Sequence, residues 1–82
     1  MYKIIFTQRA IRDLESLNKQ IQNRIVNKLK EYAEEPIKYA HKLTNPEIGT
    51  YRFRIGDYRV VFDIENKAVV ILRIGHRKHI YK

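Results

Sequence analysis

From Tyr51 to Ile64 apolar and polar residues take turns, and a run with that period can bury one face only as a β-strand. Tyr51, Phe53 and Ile55 are separated by Arg52 and Arg54; Tyr58, Val60, Phe62 and Ile64 are separated by Arg59, Val61 and Asp63. Gly56-Asp57 and Glu65-Asn66-Lys67 carry the residue types of tight turns. Ala68 to Ile74 is apolar and rich in β-branched residues, as a central strand is, and Gly75 is its expected end. Three strands joined by tight turns predict an antiparallel meander.

The first half has another period. Met1–Phe6 reads as a short strand, with Ile5 suggesting burial on both faces. Thr7 suits a helix N-cap, since its hydroxyl can accept from an orphan N–H of the first turn. A helix from about Gln8 to Leu17 carries Ile11, Leu14 and Leu17 on one side, and Asn18 breaks it. A second helix from about Lys19 to Glu35 repeats Ile21, Ile25, Leu29 and Ala33 every fourth residue, and Pro36 stops it. Residues 37–50 form the connecting loop, punctuated by Pro46 and Gly49. The expectation is a single α+β domain over residues 1–82, in the order β-α-α-β-β-β. A helical hairpin packs on one face of an antiparallel meander sheet.

Composition narrows the function classes. The 82 residues hold 17 Lys+Arg against 9 Asp+Glu, a net charge of +8. Residues 1–50 carry nine basic and six acidic side chains; residues 51–82 carry eight and three, so the excess concentrates in the strands. Such a field attracts polyanions. The chain has no cysteine, which excludes disulfides and cysteine-based zinc sites. The opening MYKIIFTQRAIRDL has too short an apolar run for a secretory leader, and no segment is long enough to span a membrane. The expected location is the cytoplasm.

Alternation sorts the cations. If Tyr51, Phe53 and Ile55 face the helices, Arg52 and Arg54 face away, and so does Arg59. Val70, Leu72 and Ile74 are expected toward the helices, leaving Arg73 on the open face, with Arg77 following if the direction survives Gly75. A guanidinium donates two parallel hydrogen bonds to phosphate and stays charged. The competing reading is that exposed strand charges only deter aggregation. The tail Gly75-His76-Arg77-Lys78-His79-Ile80-Tyr81 adds two imidazoles for proton exchange and a phenol able to stack on a base. Lys19, Arg24, Lys28 and Lys30 read as a solvated helix face, the kind that can also touch RNA phosphates. Asp57 reads as a turn residue, and His41 and Lys42 as loop residues.

The block Tyr51-Arg52-Phe53-Arg54-Ile55-Gly56-Asp57-Tyr58-Arg59-Val60-Val61-Phe62, followed by Gly75-His76-Arg77-Lys78-His79-Ile80-Tyr81, resembles the RelE/ParE toxin superfamily of type II toxin–antitoxin systems. The resemblance covers nearly the whole chain. Its RelE branch implies a ribosome-dependent endoribonuclease that cuts mRNA by metal-free 2′-OH attack and needs no cofactor. The positions that match catalytic residues of that branch are Arg52, Arg54, Arg59, Arg77 and Tyr81. Arg52 and Arg54 stand where the branch has lysines, and a guanidinium is a poor base. The base is therefore sought first in His76, then in His79 or the ribosome itself. Arg73, Lys78 and His79 are expected to bind RNA. No metal site is implied. The resemblance also implies a small acidic, RelB-like antitoxin as partner, the ribosome and mRNA as target, and no membrane. DNA would be bound only through the antitoxin. Two alternatives stay open: a ParE-type toxin that inhibits DNA gyrase by binding, and a non-catalytic RNA- or protein-binding module of the same fold.

Overall fold

A computed structural model describes residues 1–44 and 49–80. The chain forms β1 (Lys3–Phe6), α1 (Gln8–Glu15), α2 (Lys19–Tyr32), α3 (Pro36–Tyr39), β2 (His41–Lys42), β3 (Tyr51–Ile55), β4 (Tyr58–Glu65) and β5 (Ala68–His76). One sheet runs β1-β5-β4-β3-β2. The expected meander is β3-β4-β5, antiparallel throughout, but β1 lies parallel to β5, so the whole sheet is mixed. The helices cover one face, where Ala10, Ile25 and Leu29 meet Phe53, Ile55, Val60, Phe62, Val69, Ile71 and Ile74. Phe53 and Phe62 stack at 4.1 Å in the middle of that core, with Tyr32 tilted against Phe53.

The helix boundaries follow from local chemistry. Thr7 caps α1, accepting from the Ala10 N–H at 3.2 Å, and its hydroxyl donates to the Ile71 carbonyl at 2.9 Å, which ties the helix start to the sheet. Asn18 does more than break α1: its Oδ1 accepts from the Ile21 N–H at 2.9 Å and starts α2. Pro36 likewise begins an element, the short α3, because proline suits a first helical turn whose N–H has no partner. The connection expected as loop therefore holds both α3 and β2. Pro46 lies outside the described residues.

Two placements on the sheet differ from the alternation argument. Ile5 is 44% exposed, because β1 is an edge strand whose outward face nothing covers among the described residues. In β5, Val69 and Ile71 enter the core and Leu72 does not. The register slips between Val61 and Phe62: Val61 opposes Arg73, whereas Phe62 opposes Ile71. The extra residue, Leu72, is a β-bulge, and it reverses the facing of everything after it. Ile74 thereby returns to the core, and Arg73 and Gly75 take the open face.

Asp13 of α1 sits at this bulge. Its Oδ2 accepts from the Ile74 N–H at 3.0 Å and from Arg73 Nε at 2.9 Å. β1 pairs with β5 only as far as Ile71, so the carboxylate takes over where the strand partner ends.

Candidate functional site

Residues paired across neighbouring strands share a face, so the register states which cations come together. Arg54 opposes Arg59, Arg52 opposes both His41 and Val61, and Arg59 opposes Gly75. Phe53, Ile55, Val60 and Phe62 are in the helix-packed core, which puts Arg52, Arg54 and Arg59 on the open face, as alternation requires. Two arginines directly opposite one another repel. Arg59 bends toward the β3–β4 turn, where Nη1 donates to the carbonyls of Gly56 at 2.8 Å and Tyr58 at 2.9 Å. Arg54 is exposed and makes no ion pair among the described residues. Arg77 comes to the same end of the sheet. Its N–H donates to the Asp57 carbonyl at 2.8 Å, while Nε stands 3.8 Å from Asp57 Oδ1, too far for a tight ion pair.

The floor between the cations is apolar. Val61 is fully buried although it faces away from the helices, because the chain at Gly49 lies against it. A Cβ at Gly49 would stand 2.5 Å from Val61 Cγ1, so only glycine lets the loop approach so closely. Asp63 holds that loop by accepting from the Thr50 N–H at 2.7 Å. At the other end Ile80 is buried beside Gly75; its N–H and that of His79 both donate to the His76 carbonyl. The tail therefore turns back over the open face next to Arg59. Tyr81 lies outside the described residues.

The remaining expected residues lie along β5 and the tail. Arg73 reaches the open side but gives its Nε to Asp13. His76 opposes Tyr58 and shares Ile74's direction, which is the helix-packed side; its ring meets Tyr58 edge-on at 5.5 Å. Its Nδ1 accepts from the Lys78 N–H at 3.1 Å, so the proton of a neutral ring belongs on Nε2. The Nδ1 lone pair of His76 is thus engaged by the backbone. His79 is exposed, 6.0 Å from His76 ring to ring, and Lys78 is exposed beside it. A surface hollow of 360 Å³ at the α2–α3 corner, lined by Tyr2, Glu34, Pro36 and Ile37 among others, contains none of these residues. No helix among the described residues is long and apolar enough to cross a membrane.

An arginine-lined sheet face, a two-helix cover and a returning tail can be compared with known proteins. The family model of the ParE toxin of type II toxin–antitoxin systems matches residues 4–81. The chain belongs to the RelE/ParE toxin superfamily. Toxin RelG of Mycobacterium tuberculosis is 36% identical over 84 residues, spanning 99% of this chain and 97% of the relative. The RelBE2 toxin–antitoxin complex of M. tuberculosis contains a chain of the same fold, with a TM-score of 0.83 and 34% identity over 93% of this chain and 98% of that one. The archaeal RelE–RelB complex of Pyrococcus horikoshii gives 0.75 and 27% over 95% and 97%. This chain is thus a toxin of the RelE family, as its sequence resemblance implied.

Two residues that shape this face carried no sequence signal. Asp13 acts sixty residues away in the chain, and its role exists only once α1 lies against β5. Gly49 looked like loop punctuation, and its function is close approach.

Proposed function

We propose that this RelE-family toxin inhibits translation by cutting mRNA on the ribosome, and that the cut is made at the end of the sheet where Arg54, Arg59 and Arg77 gather. The observation that carries this is the Arg54–Arg59 cross-strand pair on the open face, with Arg77 held at the same end of the sheet. Like charges held together favour an anion between them, and a scissile phosphate is one.

In the proposed reaction the ribose 2′-OH loses its proton and attacks the adjacent phosphorus. The bond from phosphorus to the 5′ oxygen breaks, leaving a 2′,3′-cyclic phosphate and a 5′-OH. Arg54 and Arg59 hold the non-bridging oxygens as negative charge builds up, which is the term preorganised cations supply. Arg52 anchors the neighbouring phosphate, Arg77 attends the leaving oxygen, and Tyr81 stacks on the base. No metal ion or cofactor takes part. Guanidinium groups do not accept the proton. His79 or the ribosome accepts it and returns it to the leaving 5′ oxygen, while His76 supports the tail through its carbonyl, which accepts from the N–H groups of His79 and Ile80. Lys78 and Arg73 contribute charge to RNA binding. The partner in the resting state is a small acidic antitoxin of RelB type, as in the solved complexes of the relatives. A net charge of +8 favours its fast, salt-sensitive association. The target is met in the cytoplasm.

One observation favours a second reading. The matching family model is that of ParE toxins, and the Lys-to-Arg positions Arg52 and Arg54 suit binding better than proton transfer. In that reading the toxin inhibits gyrase. Expression of the unopposed chain separates the two. Immediate arrest of protein synthesis without DNA damage supports cleavage of mRNA. Filamentation with DNA breaks, while synthesis continues, supports the gyrase reading.

A further inference from the structure

The cations at the sheet end do not stop at the open face. Arg24 projects from α2, on the other side of the sheet, and its guanidinium lies against the β3–β4 turn. A Cβ placed on Gly56 would be 2.6 Å from Arg24 Nη2 and 3.1 Å from its Cζ and Nη1. Arg59 Nη1 donates to the carbonyl of the same glycine at 2.8 Å, and Arg77 holds the next residue, Asp57, through its N–H. Three arginines from α2, β4 and the end of β5 thus converge on two turn residues. Among the described residues Arg24 forms no hydrogen bond or ion pair, and the local carboxylate, Asp57, is 69% exposed and 3.8 Å from Arg77. Arg24 is also followed one turn later by Lys28, whose own carboxylate partner is Glu31. Three cationic side chains beside one turn make a local positive potential that attracts an anion.

We infer that the tip of the β3–β4 hairpin is a second phosphate-binding site, completed by Arg24, which receives the RNA phosphate next to the scissile one. On the side away from Arg52 the strand would then pass from the open face around the hairpin tip to α2. Gly56 has a functional reason as well as a conformational one: its φ of +61° suits the turn, and its missing side chain leaves the room in which Arg24 lies. The inference rests on the reading of the open face as an RNA site, and it adds a path that this reading does not contain.

The test is binding of a short single-stranded RNA, 2′-O-methylated to prevent cleavage, followed by fluorescence anisotropy across a salt series. Four proteins are compared: the parent, Arg24→Ala, Arg54→Ala, and Lys30→Ala as an exposed α2 cation away from the turn. Each single-strand phosphate contact contributes about 0.7 to the slope of log K against log salt, or roughly fivefold in affinity near 0.1 M. Arg24→Ala is expected to lose about one such contact in both slope and affinity, with Arg24→Lys restoring most of the slope and Lys30→Ala changing neither. If Arg54→Ala weakens binding and Arg24→Ala behaves like Lys30→Ala, the hairpin-tip site is wrong and the open-face site stands. If Arg54→Ala also leaves binding unchanged, the RNA face itself is wrong, and the inference goes with it. Weakened binding of an acidic antitoxin by Arg24→Ala, with RNA binding intact, would assign the tip to the protein partner and overturn the inference.

Discussion

A guanidinium and an imidazole do different work in RNA cleavage, and the proposed site is rich in the first. Arg52 and Arg54 stand where the resembled RelE branch has lysines, so the proposed site is well supplied for charge stabilisation and poorly for proton abstraction. The sequence made that shortage legible. It did not disclose which histidine stays available, because that depends on a hydrogen bond to a backbone N–H two residues on. His76 has Nδ1 occupied by Lys78, whereas His79 is exposed. Replacing His79 by Gln should slow cleavage about 100-fold if it is the base, the usual scale for a positioned acid or base. His76→Gln should cost less than tenfold. The measurement is the single-turnover rate on mRNA-programmed ribosomes, and the reverse order would return the base to His76. Equal, small effects would place the base on the ribosome.

At the scale of elements, most of the fold could be read from period alone. β3 and β4, α2 and the two tight turns lie where alternation, fourfold spacing and turn residues put them. What the pattern missed was the phase of β5. Every residue from Ala68 to Leu72 is apolar, so alternation cannot tell which of them faces the helices, and a bulge leaves no mark in such a run. β2 is two residues long and exposed, and it has no period at all. Asp13 stands at the bulge, where it satisfies the Ile74 N–H and pairs with Arg73. Asp13→Ala leaves a half-buried N–H and a guanidinium without their acceptor, and should cost about 2–3 kcal/mol in urea unfolding. Asp13→Asn keeps a neutral acceptor and should cost about half of that. Near-zero loss in both would mean that the bulge holds without the carboxylate. Gly49→Ala would press a methyl group into Val61 and should cost about 1–3 kcal/mol by the same measurement. An unchanged midpoint would show that the loop can lift off without loss.

The whole molecule divides into a helix-covered face that stabilises and an open face that is proposed to act. Its excess charge was visible in composition, and the gathering of that charge at one sheet end follows from the β3–β4 register. Membership of the RelE family says that the chain is a toxin. The chemistry proposed for it rests on the arginine pair. The direct measurement is cleavage of a defined mRNA on purified ribosomes, with the ends of the fragments analysed and Arg59→Ala run alongside. The expected result is ribosome-dependent fragments ending in 2′,3′-cyclic phosphate and starting with 5′-OH, formed at least about 100-fold more slowly by Arg59→Ala, the typical loss when one transition-state charge donor is removed. Intact mRNA under those conditions, with purified gyrase inhibited by the same protein, would contradict it.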